Sequence, residues 1–428
     1  MRSRWQSVPA LQFPPRDPIV TRANPRPRAP RPSGDRRLPV DLAPALSVAG
    51  LVVVAIVSFA LLGGSLPSIS GPGGPNDPGG PIRTATPSNV VVVPNDPRTK
   101  IPGSLLYVKD GNIWMQSGDR ARQVTTGGAD GMPAWSPDGA SIFFIRVKNE
   151  SGKWPSAGII RTYNLAVPSL VRIKADGSGQ PEVLLTGRIN RSSNTWSYFI
   201  REPSIAPDGL GAAIITDGPD PTKSDIVVKL LDFADGSISD PNLGEIQSLG
   251  HQDPAWSPDG KTLLYVRNAR EGLRGTPAIY SYSVATKKST ALTGPGYTAP
   301  AWSRDGRFVA ATKTSTFGTD VVILDGKTGA ELLRVTHDEN SFSPVWSPKG
   351  DAVAFFRVEH GVVDLYFVPL QGTAPNWTAG DALALTVSAG LEADSRPTWF
   401  IPTDQLPPLP TPTPVMTAAP SVSASTGP

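Results

Sequence analysis

The sequence predicts an all-β fold: a six-bladed β-propeller closed by pairing of its N- and C-terminal strands and preceded by one transmembrane helix. A heptapeptide returns as Pro133-Ala-Trp-Ser-Pro-Asp-Gly139, Pro254-Ala-Trp-Ser-Pro-Asp-Gly260, Pro300-Ala-Trp-Ser-Arg-Asp-Gly306 and Pro344-Val-Trp-Ser-Pro-Lys-Gly350, with a degraded copy at Pro203-Ser-Ile-Ala-Pro-Asp-Gly209. Its anchors Trp135, Ile205, Trp256, Trp302 and Trp346 stand 70, 51, 46 and 44 residues apart, and a period of about 40 to 50 residues suits a four-stranded blade. A strand-like run follows the turn in four copies: Ser141-Ile-Phe-Phe-Ile145, Thr262-Leu-Leu-Tyr-Val266, Phe308-Val-Ala-Ala311 and Ala352-Val-Ala-Phe-Phe356.

Within the heptapeptide, Trp is an apolar anchor on strand a, and Ser-Pro-Asp-Gly makes the turn to strand b. Pro presets φ, Asp bonds the backbone and Gly tolerates positive φ. The Trp and Asp of each copy are therefore structural residues.

Residues 1–40 carry nine Arg, no Lys, two Asp and many Pro, a composition that predicts a disordered basic tail. Arg36-Arg37 hints at a twin-arginine signal, but Leu-Pro-Val follows and the apolar segment is long. Leu42 to Leu62 is 21 residues without a charge, enough to cross a hydrocarbon core of about 30 Å. No Ala-x-Ala cleavage site follows Phe59-Ala-Leu-Leu-Gly-Gly, so residues 41–63 are expected to remain as an anchor. Nine Arg precede the helix and the first basic residue after it is Arg83, which puts the N-terminus in the cytoplasm and the rest outside.

The net charge of +3 conceals an asymmetry, because the first 40 residues hold +7 (nine Arg less Asp17 and Asp35) and leave −4 for the remainder. The exported part is not basic, which argues against a nucleic-acid partner. The chain has no Cys, which excludes disulfides, thiolate metal sites, Cys nucleophiles and a lipid anchor on Cys. Stability must come from an apolar core, and about 300 residues suffice for one.

Residues 64–102 form a Pro- and Gly-rich linker in which Val90-Val-Val-Val93 is a stray strand candidate. The repeats then begin out of phase. Ser104-Leu-Leu-Tyr-Val108, Asn112-Ile-Trp-Met115 and Arg122-Gln-Val-Thr125 resemble strands b, c and d, while Arg396-Pro-Thr-Trp-Phe-Ile401 resembles the missing strand a. Joined, they complete one blade from both chain ends and leave no free edge. The other five run from about Met132 to Thr186, Glu202 to Leu249, Asp253 to Thr293, Ala299 to Thr336 and Ser343 to Thr386. Ile279–Val284, Asp320–Leu324 and Asp364–Val368 fit strand c, and several blades finish on Leu-Thr or Val-Thr.

Repeated Pro-x-Trp-Ser-Pro-Asp-Gly with a following strand and a closing Leu-Thr resembles the TolB-type propeller family over residues 103–401. The resemblance implies an extracytoplasmic six-bladed propeller, in a family whose namesake binds protein partners of the Tol-Pal envelope system. This chain departs from the namesake, with a membrane anchor and linker where a small α/β domain would stand. Ile205-Ala206 for Trp-Ser, Arg304 for Pro and Lys349 for Asp imply local repacking.

In an up-and-down blade the d-to-a and b-to-c loops share one face, and the a-to-b and c-to-d loops share the other. A chain that starts on b and ends on a leaves from the a-to-b face, so the opposite face is available to a partner. The longest insertions fall there. The b-to-c loop of blade two, 147–168, carries Trp154, Arg161 and Tyr163; the next d-to-a loop, 187–201, carries Arg188, Arg191, Trp196, Tyr198 and Phe199. Aromatic and Arg residues are favoured at interface hot spots, although some of these aromatics can instead pack the loops onto the blades. Arg267, Arg270 and Arg274 form a solvated patch in blade four.

Acids near strand a, at the channel mouth, are Asp130, Glu202, Asp253, Glu339 and Asp394. Converging carboxylates can hold a hard cation or greet a basic peptide, and a solvated polar rim is the plainer reading. No catalytic residue is assigned. There is no Gly-x-Ser-x-Gly elbow, and His251, His337 and His360, the only histidines, are a weak metal signal. No cofactor or metal is expected. Some propellers of this type are metal-dependent lyases of acidic sugars, so a lyase or hydrolase of an acidic polysaccharide, or a small-ligand or cation sensor, stands as the alternative, because the fold does not choose. Residues 402–428 are a Pro-, Thr- and Ser-rich tail. The sequence thus points to a single-pass membrane protein, N-terminus inside, whose propeller binds protein partners in the cell envelope without catalysis.

Overall fold

The computed structural model describes residues 96–156, 158–192, 194–219, 226–243, 250–268 and 277–409. The expected basic tail and transmembrane segment, Val90–Val93 and the chain beyond Leu409 lie outside them. Among the described residues no helix is long and apolar enough to cross a membrane.

The described residues build six antiparallel blade sheets and a separate two-stranded hairpin. The first strands are β1 (Ser104–Lys109), β2 (Asn112–Ser117) and β3 (Arg120–Gln123). Blade two follows as β4 (Asp130–Trp135), β5 (Ser141–Ser156), β6 (Ile159–Lys174) and β7 (Glu182–Thr186), and a separate hairpin as β8 (Arg188–Arg191) and β9 (Asn194–Ser197). Blade three is β10 (Arg201–Ile205), β11 (Gly211–Thr216), β12 (Val227–Asp232) and β13 (Ile238–Ser239); blade four is β14 (His251–Trp256), β15 (Thr262–Arg267), β16 (Ala278–Ser283) and β17 (Lys288–Ala291). Blade five is β18 (Tyr297–Trp302), β19 (Phe308–Thr314), β20 (Thr319–Asp325) and β21 (Glu331–Arg334). Blade six is β22 (Ser341–Trp346), β23 (Ala352–Glu359), β24 (Val362–Thr373), β25 (Asn376–Ala379) and β26 (Leu383–Ala384), the last two both pairing β24. Finally β27 (Thr398–Phe400) pairs with β1, in the sheet order β27-β1-β2-β3, with Leu105 opposite Trp399.

The molecule is a six-bladed propeller because its strands b bury both faces. Successive residues of a strand point to opposite sides. Ile142 and Phe144 therefore pack with Leu106 and Val108 of blade one, while Phe143 and Ile145 pack with Ala212 and Ile214 of blade three. Leu263 and Tyr265 face blade three in the same way, and Leu264 and Val266 face blade five. This is why the runs after each turn are apolar throughout. Six clusters result, one between each pair of neighbouring sheets, and the one that joins blade six to blade one centres on Phe356, Leu365, Leu105 and Trp399. Each large side chain so buried contributes about 1.5–3 kcal/mol. Residues 96–409 hold all six sheets and all six clusters, and so carry their own core.

The repeated small residues brace the blades. Ser136, Ser257 and Ser303 each donate to the Asp two positions on, at 2.6, 2.7 and 2.7 Å. Where Lys349 replaces that Asp, Ser347 reaches Asp351 instead, at 2.7 Å. The Asp138 carboxyl is held below its ordinary range by the Ser136 hydroxyl and the Ala140 N–H. The closing Thr is a brace as well. Thr125, Thr293, Thr336 and Thr386 accept the N–H of Ile113, Ile279, Val321 and Leu365 on strand c, at 2.9–3.0 Å.

Both described ends lie at the a-to-b turns. Trp399 Nε1 donates to Pro102 O (2.9 Å), and Phe400 lies 5.3 Å from Trp135, where a Cβ on Gly139 would meet its ring at 2.1 Å. Arg304, which departs from the heptapeptide Pro, donates to Pro407 O (2.7 Å) and ties the C-terminal segment to blade five.

Candidate functional site

Two places carry the polar and aromatic residues singled out in the sequence. The first is the projection on the face opposite the described ends. Segment 147–168, expected as a loop, is instead a continuation of strands b and c: β5 and β6 stay paired from Ser141↔Lys174 to Ser156↔Ile159. Strand β4 leaves β5 at Arg146, and β7 leaves β6 at Ser169. The rungs from Val147↔Pro168 to Ser156↔Ile159 therefore project beyond the sheet as a two-stranded ribbon, about 30 Å long at strand rise. Segment 187–201, also expected as a loop, folds into the β8–β9 hairpin and leans on this ribbon.

The buttress is specific. Trp154 and Trp196 meet edge to face with centroids 5.8 Å apart, and Arg191 lies over the Trp196 ring at 5.9 Å. Arg188 donates to Glu150 (2.7 Å) and to Ser151 O, while Ser197 Oγ donates to Ala166 O (3.0 Å). Tyr198 is buried, donating its hydroxyl to Thr186 O (3.0 Å), and burial pushes its pKa up to about 12. Phe199 N–H donates to Asp217 (2.7 Å). Arg161 is exposed opposite Trp154 and Tyr163 is half-buried opposite Gly152. Thus Trp154, Arg188, Trp196 and Tyr198 hold the projection together with Arg191 against Trp196, while Arg161 is exposed and Tyr163 half-buried beside it.

The second place is the channel. Each strand a except β27 carries a bulge, and the residue before the Pro there has positive φ: Met132 53°, Glu202 50°, Asp253 53°, Ala299 50° and Ser343 51°. Three of these N–H groups reach the preceding blade's strand a, and that of Met132 reaches Ser395, just before β27. Met132 N donates to Ser395 Oγ (3.1 Å), Glu202 N to Met132 Sδ (3.2 Å), Asp253 N to Glu202 Oε2 (2.6 Å) and Ala299 N to Asp253 Oδ2 (2.8 Å). Ser343 N donates to Thr312 Oγ1 (2.9 Å). The sixth position is Arg396, whose guanidinium crosses the ring to Pro300 O (3.2 Å) and Pro254 O (3.4 Å), 3.8 Å from Asp253.

Of the five expected acids, the structure places Glu202 and Asp253 in this relay. Asp394 lies two residues before Arg396 with Oδ2 buried and without a protein partner. Burial, against the pull of Arg201, raises its pKa, and burial with the Asp253 charge raises that of Glu202. Asp130 and Glu339 are occupied elsewhere. Asp130 takes two hydrogen bonds from Arg146 (2.6 and 2.8 Å), and Glu339 accepts from Ser315 Oγ (2.7 Å). Arg201 and Arg396 were not singled out. Their signal is position, Arg396 directly before its Pro and Arg201 two residues before Pro203, not residue type.

Among the described residues, no three His, Asp or Glu side chains come together as a set for a metal ion. His251 is buried against Tyr265 with centroids 4.8 Å apart, and its Nδ1 accepts from Val228 N (3.4 Å). Burial and then Arg267 lower its pKa to about 4, so it is neutral in the core. His337 is exposed between blades five and six, and His360 sits exposed at the turn between β23 and β24. Arg267 lies over Tyr280 (5.3 Å), and Arg270 and Arg274 are outside the described residues.

No protein-family model matches the sequence. Among solved structures the chain is similar to TolB from Acinetobacter baumannii, at 20% identity and TM-score 0.49 over 69% of this chain and 66% of that one. A TolB of Agrobacterium tumefaciens matches at 20% and 0.49 over 71% and 95%, and an oligogalacturonate lyase of Vibrio parahaemolyticus at 14% and 0.40 over 61% and 83%. The likeness is one of fold, that of the six-bladed β-propeller.

Proposed function

We propose that the protein is a membrane-tethered, extracytoplasmic propeller acting as a non-catalytic protein-binding or scaffolding module of the cell envelope. Leu42–Leu62 is its anchor, with the Arg-rich tail inside and the propeller outside. The pairing of β27 with β1 is read as the clasp that closes the ring. One observation carries the binding role: the two longest insertions converge into a single braced projection on the face away from the described ends. A domain that needed only to fold gains nothing from a ribbon beyond its core, whereas a recognition element needs reach and rigidity.

The test uses Arg161 and Tyr163, because Trp154, Trp196 and Arg191 also hold the ribbon. Arg161→Ser with Tyr163→Ser is expected to abolish crosslinking of a protein partner in envelopes and leave thermal unfolding unchanged. Retained crosslinking overturns the site. Protease added outside intact cells should remove the propeller and spare an N-terminal tag; the reverse pattern overturns the orientation.

A further inference from the structure

We propose that the tip of the β5–β6 ribbon inserts into an anionic lipid surface. The last rung is Ser156↔Ile159, and beyond the turn Ile159 and Ile160 are 61% and 54% exposed. Adjacent strand residues point to opposite faces, so the ribbon ends in an apolar side chain on each side. A rigid protein partner would need a socket enclosing both. A fluid interface accommodates both without one.

The residues behind the tip fit the same boundary. Arg161 pairs with Trp154 one rung behind Ile160, and Lys153 with Thr162 one rung further, about 3–7 Å back along the strands. An apolar element seated about 5–10 Å into an interface would hold these cations at the headgroups. Trp154 and Tyr163 are half-buried at this level, where amphipathic rings favour the membrane interface. Lys153 and Arg161 are exposed and pair with no carboxylate among the described residues, and the ribbon's acid, Glu150, is already held by Arg188. Lys148 and Arg191 add to the exposed positive charge. Charge and apolarity thus coincide on one protruding end, whereas the exposed Phe317 (82%) and Val387 (76%) stand singly. The proposal does not depend on the anchor at Leu42–Leu62 or on a protein partner.

The experiment is flotation of residues 96–409, which carry the whole core and lack the apolar segment, with phosphatidylglycerol–phosphatidylcholine vesicles and with phosphatidylcholine alone. Binding to the mixed vesicles is expected, with Ile159→Ser/Ile160→Ser weakening it by about tenfold or more. Lys153→Gln/Arg161→Gln should remove the preference for the anionic lipid and its sensitivity to salt. Circular dichroism and melting confirm that each variant is folded. No flotation with anionic vesicles, or equal flotation of the Ile variant, overturns the proposal. So does capture by polygalacturonate or polyglutamate beads without vesicle binding, which would assign the cations to a soluble polyanion. Because the vesicles hold no protein, failure here is distinct from failure to find a protein partner.

Discussion

Glu202 shows how a functional-looking acid can be a structural one. Its Oε2 accepts the Asp253 N–H at 2.6 Å, and its carboxyl titrates above the ordinary range because of burial first and the Asp253 carboxylate second, with Arg201 and Arg396 opposing. The folded state therefore holds this proton to a higher pH than the unfolded chain does. Stability from this group is present in full below the unfolded value and is lost as pH rises through the folded one. Glu202→Gln, which keeps an oxygen acceptor and removes the charge, should raise Tm at neutral pH, and the gain should vanish towards about pH 4. Melting curves across that range check the sign. A gain independent of pH would mean that packing, not charge, is responsible.

At the scale of elements, the ribbon and the β8–β9 hairpin approach each other closely at Gly152. A Cβ on Gly152 would meet Leu165 Cδ1 at 2.2 Å and Thr195 O of β9 at 3.2 Å. Gly152→Val should therefore lift the β8–β9 hairpin from the ribbon and leave the six interblade clusters intact. Limited proteolysis is expected to cut within 187–198 several times faster than in the wild type, with Tm little changed. The two segments look like loops in sequence because their apolar residues are sparse and Gly, Asn and Ser interrupt them. Their order comes from leaning on each other, a contact between segments separated by a whole outer strand.

For the whole molecule, Trp399 sits where β27 meets β1. It is buried, pairs opposite Leu105 and donates to Pro102 O, all within the cluster that unites blades six and one. Trp399→Ala should cost about 3–5 kcal/mol, read as a lower urea midpoint with one cooperative transition. If closure at this seam is dispensable, the loss will be far smaller. Arg396, three residues earlier, ties the segment before β27 across the ring to carbonyls of blades four and five.

Sequence alone determined the blade number, the heptapeptide turns and the strand order within the blades, because these follow from local periodicity and turn chemistry. It also marked the closing Thr residues, whose hydroxyls then proved to hold strand c. Tertiary structure alone decided which polar residues meet. Asp130, Glu339 and Asp394 lie close to strand a in sequence but not in the register of the residue before Pro, and a shift along a strand changes what a side chain faces. Glu202 and Asp253 share that register with Arg396, and the ring brings them together across the channel. The aromatics of the two insertions were visible as residues, but their pairing was not, since edge-to-face contact between Trp154 and Trp196 depends on the path of both hairpins through space.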